Sequence, residues 1–333
     1  MPIVSVILTS FNQERYANVA VESVLGQTFQ DFELLVVDNG STDGSAALLR
    51  EYEPDPRVKL FLYSTNESLS MRFNDAIAAS TGEFISFLYA DDWYLPDKLE
   101  RQVAEFDQLG PEFGVVYGPA AGLNELTGAR WFHPSLRATG DVFEDLMLRS
   151  TTARVDMLSP MTRRECLLVH RFDTAIFAET EAIYLRIALT HRFSYVNQPG
   201  VVLRDHGDNA GKAIRSNLDL VQRSLTNLRS HPALTEARRA LVDHYEADTL
   251  LVCGWGGIRV GADPKWARRC LVAAVRLRPT AALNPKIGAG LLLSILPPLV
   301  RDLVNRAGHS LKRAPGNATY VEDYYDVETD QAV

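Results

Sequence analysis

Five short apolar runs, at residues 3–8, 33–37, 58–63, 84–88 and 114–117, alternate with helical patterns across the first third of the chain. Runs this short and this uniformly apolar are buried on both faces, as the strands of a parallel sheet are. Between the first two, Ala17, Ala20, Val21, Val24 and Leu25 recur at helical spacing, and Gly26 follows where a C-terminal cap belongs. After Val37, residues 38–44 supply turn and N-cap side chains that open a second helix reaching about residue 52. The same spacing predicts helices near 69–80 and 96–109. Repeated strand–helix units give an α/β doubly wound sheet, whose ligands bind outside the carboxyl ends of its strands. Such a sheet gathers Thr9-Ser10-Phe11, Asp38-Asn39 and Ala90-Asp91-Asp92 along one edge.

The pattern loosens between about residues 118 and 204 into short helices and strands, a half expected to shape a second substrate site. Beyond about residue 213 it turns helical, with helices predicted over 235–253, 264–277 and 285–307 and breaks at Pro279 and Pro285. Residues 317–333 are acidic and aperiodic and are expected to be mobile.

A net charge of -8 argues against a broad grip on nucleic acid, which needs clustered Lys and Arg to displace counterions. The three cysteines, Cys166, Cys253 and Cys270, fit neither a disulfide framework nor a zinc site, so a reducing cytoplasm is the expected setting. The N-terminus shows no basic leader and reads as a first strand. The longest apolar stretch, 287–300, is shorter than the ~20 residues a bilayer needs and is interrupted by Pro297-Pro298, so no membrane span is predicted.

The strongest chemical signal is the apolar run 84–88 ending at Asp91-Asp92. Adjacent acids repel unless a cation stands beside them, and Mg²⁺ or Mn²⁺ held by one or two carboxylates plus substrate phosphates would use such a pair. Equally, both acids could serve the positive end of the helix that starts near Pro96. Asp38 can accept hydrogen bonds from a nucleoside base or ribose, or act as a turn acid. Thr9 and Phe11 can bond to and stack on a base, although Phe11 also suits a core.

The stretches 4–12, 23–43 and 82–92, in that order and spacing, resemble family 2 glycosyltransferases of the GT-A fold. The nearest likeness is to bacterial polysaccharide-assembly members, including the spore-coat type. It is specific over roughly 2–110 and weaker to about 210. The resemblance implies a GT-A, Rossmann-like, mostly parallel sheet flanked by helices, with a helical C-terminal extension. Its donor-binding half would cover 1–118, its acceptor-binding half 119–212, the helical region 213–316 and the acidic tail 317–333.

It further implies an inverting, metal-dependent transfer of a sugar from a nucleotide diphosphate donor to a saccharide or lipid-linked acceptor. Thr9, Phe11, Asp38 and Asn39 would contact the nucleoside. Asn39 stands where a second acid is usual and still accepts from a pyrimidine N3–H, which keeps UDP- and dTDP-sugars in view. Asp91 would meet ribose and Asp92 the divalent cation, with Tyr89 replacing a leading acid. Arg72 and Asn74 would lie near the diphosphate, and His206 near the diphosphate or the metal.

The family's catalytic aspartate falls on Thr180, whose hydroxyl is not appreciably ionised at neutral pH. Glu179 or Glu181 must then be the base, with Glu179 narrowly preferred. A degenerate member that binds nucleotide sugar or scaffolds an assembly complex is the competing reading. A sugar-phosphate nucleotidyltransferase would need a glycine-rich, Arg-containing loop after the first strand, and a dehydrogenase a Gly-x-Gly-x-x-Gly turn there; neither is present. In the C-terminal region, 291–296 with Arg301, Arg306, Lys312 and Arg313 suits peripheral contact with an anionic membrane through 285–313. Core packing or a homodimer contact would use the same residues.

Overall fold

The computed structural model of the chain describes residues 1–148, 155–206, 214–259, 263–297, 299–301 and 303. The tail 317–333 and the end of the helix predicted to residue 307 lie outside the described residues.

The first third follows the predicted rhythm: β1 (Val4–Ser10), α1 (Ala17–Leu25), β2 (Phe32–Asp38), α2 (Ser45–Arg50), β3 (Val58–Leu62), α3 (Leu69–Ala79), β4 (Phe84–Tyr89), β5 (Trp93–Tyr94), α4 (Lys98–Phe106) and β6 (Phe113–Tyr117). Next come β7 (Ala120–Asn124), β8 (Arg130–Phe132), α5 (Phe143–Leu148), β9 (Met161–Arg163), α6 (Arg164–His170), α7 (Ile183–Ile187), β10 (Arg192–Tyr195) and β11 (Val201–Asp205). The C-terminal region is helical: α8 (Ile214–Ser230), α9 (Glu236–Arg259), α10 (Pro264–Leu277) and α11 (Pro285–Ile295). Regular α11 stops at Ile295, short of the predicted 307, because Leu296 turns extended ahead of Pro297.

Seven strands make the main sheet in the order β10-β6-β9-β4-β1-β2-β3. β3, β2, β1 and β4 run parallel, as do β6 and β10, while the inserted β9 is antiparallel to both of its neighbours. A second sheet, β5-β11-β7-β8, stands beside it. Every residue of β1 and β2 is buried, so helices must cover both faces of the sheet, and the alternating βα sequence supplies them. Burying each Val or Leu side chain contributes roughly 1.5–3 kcal/mol, and cutting a fully buried one such as Leu35 to Ala would cost about 2–5 kcal/mol.

Strand register positions the functional edge. Ser10 pairs with Asp38 and Thr9 with Tyr89, so the carboxyl ends of β1, β2 and β4 stop at one level. Gly40 closes the loop after β2 with φ 80°, and a Cβ there would lie 2.4 Å from the Thr65 carbonyl carbon. Only glycine meets both conditions.

At the opposite edge Glu33 ties the strands together. Its carboxylate accepts from Ser5 Oγ (2.6 Å), Lys59 Nζ (2.6 Å) and the Thr81 N–H (2.6 Å). Burial alone would raise this carboxyl, but the bonds from Lys59, Ser5 and Thr81 outweigh it and hold it at about 2.

Candidate active site

Asp91 and Asp92 follow β4 directly, and the second sheet folds over them. Because Val202 of β11 pairs with Trp93 of β5, Arg204 and His206 come to lie above the acidic pair. The Arg204 N–H donates to Asp92 Oδ1 at 2.7 Å, and Arg204 Nε donates to the Asp91 carbonyl at 3.1 Å. His206 Nε2 lies 3.2 Å from Asp91 Oδ2. The imidazole expected near the diphosphate or the metal thus lies within hydrogen-bond distance of the first acid of the pair.

Asp92 is buried, and that burial, followed by the charge of Asp91, drives its carboxyl well above the usual range. Burial and then the charges of Glu181, Asp92 and Asp91 likewise push the Tyr89 phenol upward. The Tyr89 hydroxyl is shut from solvent and has no hydrogen-bond partner among the described residues. Glu181 and the acidic pair thus act on the same phenol. A region this crowded with negative charge suits a hard cation. Among the described residues no group of three or more His, Cys, Asp and Glu side chains is arranged to hold a metal. The oxygens of Asp91 and Asp92 nevertheless match the donor type that Mg²⁺ and Mn²⁺ use when phosphates complete the shell.

The loops after β1 and β2 are laced together. Asn12, with φ 54°, accepts the Thr42 N–H at its Oδ1 (2.8 Å) and donates its own N–H to Ser41 Oγ (2.9 Å). The Glu14 N–H donates to Asp43 Oδ2 at 3.2 Å, and the Gly44 N–H to Glu14 Oε2 at 3.0 Å. This lacing leaves Phe11 exposed at the rim while Thr9 is buried in the strand. Asp38 is buried and holds its own turn, its two oxygens accepting the Ser41 hydroxyl and N–H. Each oxygen keeps a further lone pair for a ligand.

Three of the expected ligand contacts take structural positions instead. Asn39 Oδ1 accepts from Arg72 Nε (2.9 Å) and from the Glu67 N–H (3.2 Å), and its Nδ2 donates to Asn66 and to the Glu67 carbonyl. With both lone pairs used, the amide has no acceptor left for a pyrimidine N3–H in this conformation. Arg72 is buried, stacks 3.4 Å from the Tyr63 ring centroid, donates to the Thr65 carbonyl and pairs with Glu67. Its guanidinium braces the 63–67 loop. Asn74 exchanges two hydrogen bonds with the backbone of Phe172, and so pins the segment after α6 to α3.

Glu179 and Glu181 part company sharply. Glu179 is 1% exposed and grips Arg186, with Arg186 Nη1 on Oε1 and Nη2 2.8 Å from Oε2. Its Oε2 also accepts the Asp173 N–H at 2.7 Å. The narrow preference for Glu179 as base loses its geometric ground, because a carboxylate this deeply buried and already gripped by three protein donors is not open to an acceptor. Glu181 is exposed just ahead of α7, and the Thr180 hydroxyl donates to it.

Sequence reading missed the aromatic and ionic frame around the pair. The Arg204 guanidinium carbon lies 4.8 Å from both the Tyr16 and Trp93 ring centroids, and the Tyr16 ring centroid is 5.2 Å from that of His206. Tyr16 donates to Glu125 Oε2 at 2.9 Å, and Arg15 pairs with Glu125 at 2.7 Å. Of this frame only His206 gave any signal in the sequence. Tyr16 and Glu125 are 109 residues apart and meet through tertiary structure alone.

The glycosyl transferase family 2 profile matches residues 5–186, more than half of the chain. Three bacterial proteins are similar to about a third of the chain. An uncharacterized glycosyltransferase of Haemophilus influenzae is 38% identical over 104 residues, 31% of this chain and 42% of the relative. Uncharacterized glycosyltransferase alr2836 of Nostoc sp. is 41% identical over 117 residues, 34% and 35% of the two chains. The putative teichuronic acid biosynthesis glycosyltransferase TuaG of Bacillus subtilis is 37% identical over 103 residues, 31% and 41%. The matched stretch spans less than half the length of each of these relatives.

Two solved structures share the fold. S. aureus TarS 1-349 in complex with UDP-GlcNAc superposes with TM-score 0.65 at 16% identity, over 97% of this chain and 98% of that one. Mannosyltransferase PcManGT from Pyrobaculum calidifontis in complex with GDP-Man and Mn2+ gives 0.56 at 20% identity, over 91% and 87%. At these identities the likeness is one of fold.

Proposed function

Because the chain belongs to glycosyl transferase family 2, we propose that it moves a sugar from a nucleoside diphosphate donor to an acceptor hydroxyl with inversion, at the carboxyl edge of β1, β2 and β4. One observation carries this reading: register and the overlying second sheet bring Thr9, Phe11, Asp38, Asp91 and Asp92 to one rim. Phe11 offers a ring face to the base, and Asp38 and Asp91 offer acceptors to base and ribose. With Asn39 committed to Arg72, selection among uridine and thymidine donors falls to Thr9, Phe11 and Asp38. TarS crystallised with UDP-GlcNAc supports a uridine donor.

In the transfer, the acceptor oxygen attacks the anomeric carbon as the bond from that carbon to the diphosphate oxygen breaks. Glu181 takes the acceptor proton, and the nucleoside diphosphate leaves as an anion. The Thr180 hydroxyl, where the family's aspartate is expected, orients Glu181 by donating to it. Asp92, with Asp91 and His206 beside it, would hold a Mn²⁺ or Mg²⁺ ion, which supplies positive charge against the leaving diphosphate. PcManGT crystallised with GDP-Man and Mn2+ supports such an ion. The name of TuaG supports an acceptor from bacterial polysaccharide assembly, either a saccharide or a lipid-linked chain.

Thr180 also favours a second reading, a nucleotide-sugar-binding scaffold without transfer. Incubating the protein with UDP- and dTDP-sugars, Mn²⁺ and a panel of saccharide and lipid-linked acceptors separates the two. Donor consumption with an inverted product supports transfer; saturable donor binding with no turnover on any acceptor supports the scaffold.

A further inference from the structure

The apolar stretch 287–300 is divided by the fold into an inner and an outer set. Ile287, Gly290 and Leu293 are buried against α9 and α10, where Leu271 and Trp255 receive them. Leu292 and Ile295, on the same helix, stay 65% and 64% exposed. Leu299 and Leu303, in the helical turn that opens at Pro297, are 81% and 67% exposed, and Leu283 just before α11 is 85% exposed. A helix facing water alone carries charge or amide groups on its outer side; here large aliphatic side chains occupy it.

The charge of the region points the same way. Residues 259–301 hold eight Lys and Arg against one Asp, a net +7, whereas the whole chain carries -8 and the remainder therefore -15. Lys265, Arg268, Arg269 and Arg276 of α10 and Lys286 of α11 are exposed. Cations and aliphatic side chains on consecutive helices match a surface that is anionic at its face and apolar beneath.

We infer that α10 and α11 dock on an anionic lipid bilayer, the aliphatic side chains entering the headgroup boundary while the cations meet lipid phosphates. No helix among the described residues is long and apolar enough to cross a membrane, so the contact is peripheral. A second copy of the chain is the less favourable occupant, because pairing this face with itself would oppose two strongly positive surfaces. The inference is independent of the transfer reaction.

The test is co-sedimentation of the full chain with vesicles of phosphatidylcholine alone and of phosphatidylcholine with phosphatidylglycerol. Binding is expected to the anionic vesicles at low salt, at least tenfold weaker to neutral ones, and reduced as salt rises. The double variant Leu292→Glu/Ile295→Glu should lose at least tenfold in partitioning while its thermal unfolding stays unchanged, and Arg268→Glu/Arg269→Glu should weaken the salt-sensitive part. No association at low salt, or binding indifferent to the double Glu variant, overturns the inference. A dimer in analytical sedimentation that the Glu variant splits, with no vesicle binding by the parent, assigns the face to self-association and overturns it equally.

Discussion

Arg186 of α7 holds both carboxylate oxygens of Glu179 in a pair that is almost wholly buried. The same guanidinium donates to the carbonyls of His170 (3.0 Å) and Arg171 (2.8 Å), while the Glu179 N–H donates to Ser70 of α3 at 2.8 Å. The pair therefore joins three segments of the chain and sets where the exposed Glu181, two residues on, stands.

Glu179 and Glu181 should fail differently when altered. Glu179→Ala leaves the Arg186 charge buried without its partner, and unfolding in denaturant should show a loss of roughly 3–5 kcal/mol. Glu181→Gln should leave stability within about 0.5 kcal/mol of the parent, as surface changes do, and cut transfer by about 10²–10⁴-fold, the usual worth of a general base. A stable, inactive Glu179→Gln beside a fully active Glu181→Gln would return the base role to Glu179.

Asp92→Asn keeps an acceptor for the Arg204 N–H and removes one of two adjacent negative charges. Since burial and Asp91 already disfavour the ionised Asp92, the variant should melt no lower than the parent. Transfer and donor hydrolysis should fall about 100-fold or more, and Mn²⁺ should no longer strengthen donor binding in calorimetry. Unimpaired turnover in this variant would remove Asp92 from the site.

The contrast between these acids shows how far the sequence could be read. β1, β2 and β4 announce themselves because a strand covered on both faces must be apolar throughout, and the polar residues after each strand then fall together by register. β9 stayed hidden because three residues carry no period, although it is the strand that links the two halves of the sheet. The bond between Asn39 and Arg72 could not be read in advance, because the two partners lie more than thirty residues apart, at a distance no local pattern encodes. Lys98, at the start of α4, carried no signal in the sequence and is buried with Ser86 Oγ (2.8 Å) and Gln102 Oε1 (2.6 Å) as acceptors.

Glu33 predicts the response to strong acid. Its carboxyl is held at about 2, below the ordinary 4.5, so its contribution is complete above about pH 4.5 and disappears as pH falls towards 2. A shift of that size is worth about 3 kcal/mol. Glu33→Gln should lower stability at pH 7 and flatten the pH dependence of unfolding below 4.5. A slope there identical to that of the parent would show that another group governs acid loss.

The histidines near α6 should govern milder acid. The His170 ring stacks on that of His231 at 5.3 Å, and Thr190 Oγ1 lies 2.9 Å from both His170 Nε2 and His191 Nδ1. A single hydroxyl proton cannot be given to both rings, so at least one imidazole must carry the proton on the nitrogen facing Thr190. Burial, then His231, His191 and Arg186, bring His170 down to about 4 from the ordinary 6.5. The folded state thus prefers the neutral ring, and stability present above pH 6.5 should drain away as pH falls to 4, by about 3 kcal/mol for His170. His170→Gln should flatten unfolding free energy between pH 6.5 and 4 while leaving the Glu33 step below 4.5 in place. Because Arg186 donates to the His170 carbonyl, proton uptake here should also loosen the Glu179 anchor, so the thermal midpoint of the Glu179→Gln variant should fall less steeply over this window than that of the parent. Equal slopes in the two proteins would show that the histidines and the anchor act separately.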